Sequence, residues 1–119
     1  MKNKPWFKRK VEVPGETIYE IITEEDDLGF GLALAEIHES KKHVHHRTKE
    51  FYFVVEGSLS LTVGKQVITL NPFESYSISP NQQHHAKKKG KKAAKVLVLT
   101  SPAWSMEDHH LIEEAAKEI

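Results

Sequence analysis

The sequence predicts an all-β barrel with one short C-terminal α-helix. Three observations carry this. Apolar residues recur at every second position over most of the chain, turn-forming pairs interrupt them at short intervals, and only the segment from Ser105 onward changes period.

The elements follow in order. Thr17–Thr23 carries Ile18, Tyr19, Ile21 and Ile22. Phe30–Glu39 alternates Phe30, Leu32 and Leu34 with Gly31, Ala33 and Ala35. Phe51–Val55 is β-branched and aromatic, and Ser58–Val63 sets Leu59, Leu61 and Val63 against Ser58, Ser60 and Thr62. Val67–Leu70, Tyr76–Ile78, His84–Lys88 and Ala94–Thr100 complete the strands. Pro14-Gly15, Glu56-Gly57, Gly64-Lys65, Asn71-Pro72, Ser79-Pro80-Asn81 and Lys89-Gly90 mark the turns. Such spacing argues for a sandwich or barrel. In Ser105–Ile119, Leu111, Ile112, Ala115, Ala116 and Ile119 form a helical stripe, with Ser105 as the cap. The lysines of Lys87–Lys92 read as the solvated tip of a β-hairpin.

Composition bounds the function. The 119 residues suit a single domain, 1–119, with its barrel over about residues 10–104. Lys and Arg number 17 and so do Asp and Glu, so binding of nucleic acid by bulk charge is not expected. No aromatic residues interleave with the lysine run to stack bases. With no Cys, any metal must be held by His, Asp or Glu. The longest apolar run, Phe51–Val55, is five residues, far short of the roughly 20 that a membrane helix needs. No signal-peptide-like stretch follows the basic start, so the cytoplasm is the expected compartment.

The chemistry lies in His43-Val44-His45-His46-Arg47-Thr48-Lys49-Glu50. On a strand, His43 and His45 share a face and can share an ion. Glu50 follows where the next strand opens. Imidazole and carboxylate without thiolate suit Zn, Mn, Fe, Ni or Co. A fourth ligand should come from another strand, and His84-His85 stands where a turn feeds one. These neighbours point to opposite faces, so only one reaches the interior. Ala86 shares the His84 face and suits a crowded interior, whereas Lys87 shares the His85 face.

These residues resemble the cupins. The first cupin motif has a His-x-His pair, a Glu and a closing Gly, matched by His43, His45, Glu50 and Gly57. The second has a Pro-x-Gly turn with a His beyond it. Here Ser79 and Asn81 stand for its Pro and Gly, and His84 follows. Asn81 is the best non-Gly occupant of a left-handed position. Phe73-Glu74 stands where cupins usually have Gly-Asp.

The resemblance implies a jelly-roll barrel, a double-stranded β-helix, with one divalent transition metal on His43, His45, Glu50 and His84 and two positions left open. Strand parity then turns Tyr52 and Val54 inward and Phe51, Phe53 and Val55 outward. That outer set needs a cover, either the segment with Trp6 and Phe7 or a second subunit, and a homodimer is expected.

The chain also resembles small single-domain cupins grouped with mannose-6-phosphate isomerase, which implies a metal-dependent sugar-phosphate isomerase acting on a small molecule. An Fe(II) dioxygenase and a non-catalytic binding module share the same ligands. No general base can be assigned: Tyr19, Tyr52 and Tyr76 read as wall residues. Arg47 could clamp a phosphate, though a solvated loop charge is the commoner outcome.

Overall fold

The computed structural model describes residues 5–112. Its strands are β1 (Arg9–Val13), β2 (Glu16–Ile22), β3 (Gly31–Ile37), β4 (His43–Val44), β5 (Lys49–Glu56), β6 (Leu59–Val63), β7 (Gln66–Leu70), β8 (Ser75–Ile78), β9 (His84–Lys88), β10 (Ala94–Ser101) and β11 (His110–Leu111). They form a six-stranded sheet, β1-β2-β3-β10-β5-β8, and a five-stranded sheet, β11-β4-β9-β6-β7. Every pairing is antiparallel.

The period-two pattern decides what lies between the sheets. In β6, Leu59, Leu61 and Val63 are buried while Ser60 and Thr62 lie on the other face. Val54, Val96, Ala94 and Ile37 face them from the larger sheet, all fully buried. This apolar cluster closes one part of the interior. Elsewhere the inner positions turn polar: Glu50 pairs across β10 with Thr100, and His43 on β4 pairs with His84 on β9. Gly57, with φ of 77°, ends β5; a Cβ there would come within 3.3 Å of the Ala94 Cα.

Tyr52 and Val54 are buried, as parity requires, and Phe51, Phe53 and Val55 lie on the opposite face. Phe51 is 38% exposed beside Leu99, which is 40% exposed. Trp6 and Phe7 cluster on Tyr19 of β2, and β3 and β10 separate that strand from β5. Trp6 and Phe7 therefore do not cover Phe51.

Several expectations are corrected. The segment after Ser105 does not begin an α-helix: Met106–Asp108 is a 3-10 turn and His110–Leu111 is strand β11, paired with β4. The rest of the expected helix, residues 113–119, lies outside the described residues. Edge pairing with β4 supplies backbone hydrogen bonds that a helix there would forgo. The lysine run is not a hairpin tip, because β9 and β10 belong to different sheets and the run bridges them. Tyr19 is not an interior wall residue; its hydroxyl donates to Glu36 Oε1 across the outer face. Among the described residues no helix is long and apolar enough to cross a membrane.

Candidate metal centre

His43, His45, Glu50 and His84 come together although they span three strands and a loop. Each offers one ligand atom, and those atoms all lie within 4.8 Å of one another. All four residues are buried. His84 faces inward with Ala86, whereas His85 lies on the other face of β9. Asn81 has φ of 70°, so the turn before His84 keeps the left-handed residue that its Gly-like position needs. Phe73 also has a left-handed φ, 71°, and the Glu74 carboxylate accepts from the Asn71 N–H at 2.7 Å. The Phe-Glu pair thus keeps the backbone form that favours Gly.

The outer nitrogens orient the rings. Nδ1 of His43 donates to the carbonyl of Lys41 at 2.7 Å, Nδ1 of His45 to that of Asp108 at 2.8 Å, and Nδ1 of His84 to that of Gln82 at 2.9 Å. A carbonyl only accepts, so each Nδ1 carries the proton and each Nε2 can turn a lone pair inward. Glu50 Oε1 meets them at 3.0 Å from His84 Nε2 and 3.3 Å from His45 Nε2. His45 Nε2 is buried and makes no hydrogen bond. Convergent lone pairs repel unless a proton or a cation lies among them, and the donor set fits a divalent transition metal.

The electrostatics agree. Burial, reinforced by His84, lowers His43 to about 3, favouring the neutral imidazole a metal requires. Burial opposes charge on His45 and on Glu50, but their mutual attraction outweighs it, raising His45 and holding Glu50 below the usual carboxylate range. A pair held charged in this way leaves a proton for a metal to displace.

His43, His45 and Glu50 of this cluster line a cavity. Glu16, Ile18, Glu20 and Ile22 line it from β2, Tyr52 from β5 and Thr100 from β10, and Trp104 and His109 from the C-terminal segment. Sequence reasoning missed Glu16, Glu20 and His109. The two carboxylates were legible, since they share strand parity with Ile18 and Ile22. His109 was hidden by the helical reading. Its ring stacks on His43 with centroids 4.5 Å apart, and its buried Nδ1 has no partner. Burial, followed by the charge of His45, lowers it to about 4.

Asp108 fastens this wall. Its carboxylate accepts from the backbone N–H groups of His46, Arg47 and Thr48 at 2.9, 3.1 and 3.2 Å, and from the Thr48 hydroxyl at 3.1 Å. The Arg47 side chain is exposed and does not line the cavity. Among the described residues no Lys or Arg lines it. Arg9 approaches from β1, but its guanidinium pairs with Glu20, Nη2 lying 3.1 Å from Oε1.

A family model for the cupin domain matches residues 33–100, more than half of the chain. The chain belongs to the cupin family. No curated protein matches this cupin. Among solved structures it is similar to Pac13 of Streptomyces, a nucleoside dehydratase also solved with uridine, at 12% identity and a TM-score of 0.76, covering 93% of this chain and 92% of that one. It is similar to KdgF from Halomonas sp. at 17% identity and a TM-score of 0.69, covering 82% and 90%. It is also similar to ectoine synthase from P. lautus at 13% identity and a TM-score of 0.73, covering 100% and 96%. At these identities the likeness is one of fold.

Proposed function

We propose that this cupin holds one divalent transition metal on His43, His45, Glu50 and His84 and catalyses proton transfer on a small oxygenated molecule, as an isomerase or a dehydratase. The observation that carries the reading is the convergence of three imidazoles and one carboxylate, their ligand atoms within 4.8 Å of one another, with His43, His45 and Glu50 lining a cavity. A bound metal would polarise a carbonyl or hydroxyl oxygen of the substrate and so ease loss of a neighbouring proton.

The chain's own groups supply the rest. Glu16 and His109 face the cavity with polar atoms that no described side chain occupies, and Tyr52 and Thr100 bring hydroxyls. Ile18, Ile22 and Trp104 give part of the wall an apolar lining. A group able to take or return a proton beside a polarised oxygen is what isomerisation and elimination share. The isomerase expected from the sequence falls within this reading, and so does the dehydratase chemistry of Pac13, a protein similar in fold.

The test is metal analysis of untagged protein, then a screen of aldoses, ketoses and hydroxy acids on Mn- or Zn-loaded protein under nitrogen and under air. The expected result is about one equivalent of metal and turnover that consumes no O₂. Substrate-dependent O₂ uptake that requires Fe(II) would establish the dioxygenase instead. Less than about a tenth of an equivalent after reconstitution would overturn the metal reading.

A further inference from the structure

We propose that Glu16 sets the charge selectivity of the cavity: its carboxylate turns away phosphorylated substrates and admits neutral molecules that bring a hydroxyl or N–H donor. This rests on the reading of His43, His45, Glu50 and His84 as a metal site.

Glu16 lies on the inner face of β2 with Ile18 and Glu20, and is only 9% exposed. No described side chain donates to its carboxyl, although it faces the same cavity as the metal cluster. The other added carboxylate, Glu20, is already matched by Arg9. Arg9 is thereby committed, and its second amine contact is to Glu24 at 3.4 Å. The cavity therefore offers an unmatched negative group and no cationic side chain among the described residues.

A phosphate dianion entering this space would meet Glu50 and Glu16 together. Even against a divalent cation the enclosed charge would be net negative, in surroundings where water screens poorly. A neutral donor does the reverse, because it can hydrogen-bond to a carboxylate to which no described side chain donates. The substrate class this selects is an unphosphorylated, hydroxyl- or N–H-bearing molecule, so the isomerase reading loses its sugar phosphate and keeps its carbonyl chemistry.

The experiment uses Co²⁺-loaded wild type, Glu16→Gln and Glu16→Asp, titrated at pH 8 with methyl phosphate and separately with imidazole. Ligand binding is followed by the visible bands of the cobalt. At that pH Glu16 is ionised: burial and the charge of Glu50 raise it only to about 7 in the metal-free protein, and a nearby cation favours the carboxylate further. Glu16→Gln is expected to bind methyl phosphate about tenfold more tightly than wild type, as removal of one nearby charge in a poorly screened site implies. Glu16→Asp should stay near wild type, and imidazole affinity should not rise in either variant. The assignment is overturned if methyl phosphate binds Glu16→Gln and wild type alike. It is equally overturned if Glu16→Asp tightens as Glu16→Gln does, or if imidazole and methyl phosphate tighten together, because the cavity would then merely have opened. If wild type takes up no Co²⁺, the metal reading fails and this inference with it; normal uptake with unchanged phosphate binding sinks only the role of Glu16.

Discussion

The Nδ1–H of His45 donates to the backbone carbonyl of Asp108 across 63 residues of sequence, at 2.8 Å. Asp108 also turns its carboxylate back onto the loop that carries His45, accepting from His46, Arg47 and Thr48. One residue of the C-terminal segment thus fixes both the ring and the loop of a candidate ligand.

Asp108→Asn should therefore loosen the site. A carboxylate accepting several N–H groups contributes more than neutral bonds do, so the loss near pH 7 should be roughly 1–3 kcal/mol. Burial works against the charge of Asp108, but these bonds prevail and lower it from 3.8 to about 2. A depressed carboxylate stabilises the fold above its unfolded pKa, and that share is lost as pH falls from about 4 towards 2. Urea unfolding of both proteins near pH 7 and near pH 2 measures the difference. Equal midpoints near pH 7 would show that the carboxylate anchors nothing.

The two neighbouring histidines of β9 should separate cleanly. His84→Ala should lose most of the metal affinity, while His85→Ala should retain wild-type metal content, since only His84 faces the cluster. Binding by wild type should weaken below about pH 6, where protons compete for the imidazoles. Elemental analysis after dialysis decides, and metal loss in His85→Ala alone would refute the ligand set.

Glu16 makes a prediction for the metal-free protein. Its folded pKa is raised from 4.5 to about 7, mainly by burial. Between those values the folded state holds the extra proton, so this group costs stability as pH rises through the window. Metal-free Glu16→Gln should match wild type below about pH 4 and exceed it near pH 8 by up to about 3 kcal/mol. Denaturation curves at the two pH values test this, and a gap that does not change with pH would contradict it.

The outer face of the larger sheet is proposed as a self-association surface. Phe51 and Leu99 remain part-exposed there, and Phe73, 75% exposed, lies 6.1 Å from Phe53 between ring centroids. Sedimentation at micromolar concentration should give about twice the 13.6 kDa chain mass, and Phe51→Glu should give the monomer. A wild-type mass near 13.6 kDa would refute the dimer.

Alternation made most of the strands legible, with the parity of their side chains, but not β1, β4 or β11. Alternation is a local property: Leu59, Leu61 and Val63 had to share a face, and so did Glu16, Ile18 and Glu20, wherever the strand was placed. His43, His45, Glu50 and His84 were legible for a related reason, since their spacing follows a motif that lies within strands and tight turns. The tertiary structure alone decided what lies across the cavity from them. Nothing local to Glu16 says that its face would meet a cluster of histidines, or that Arg9 would match Glu20 and leave Glu16 unmatched. The C-terminal segment shows the limit most clearly. Its apolar stripe reads as a helix, yet backbone bonds to the edge of β4 and the N–H groups gathered by Asp108 hold residues 106–112 in a turn and a strand. Those partners lie some sixty residues away, beyond the reach of any periodicity, and they are what bring His109 to the cavity.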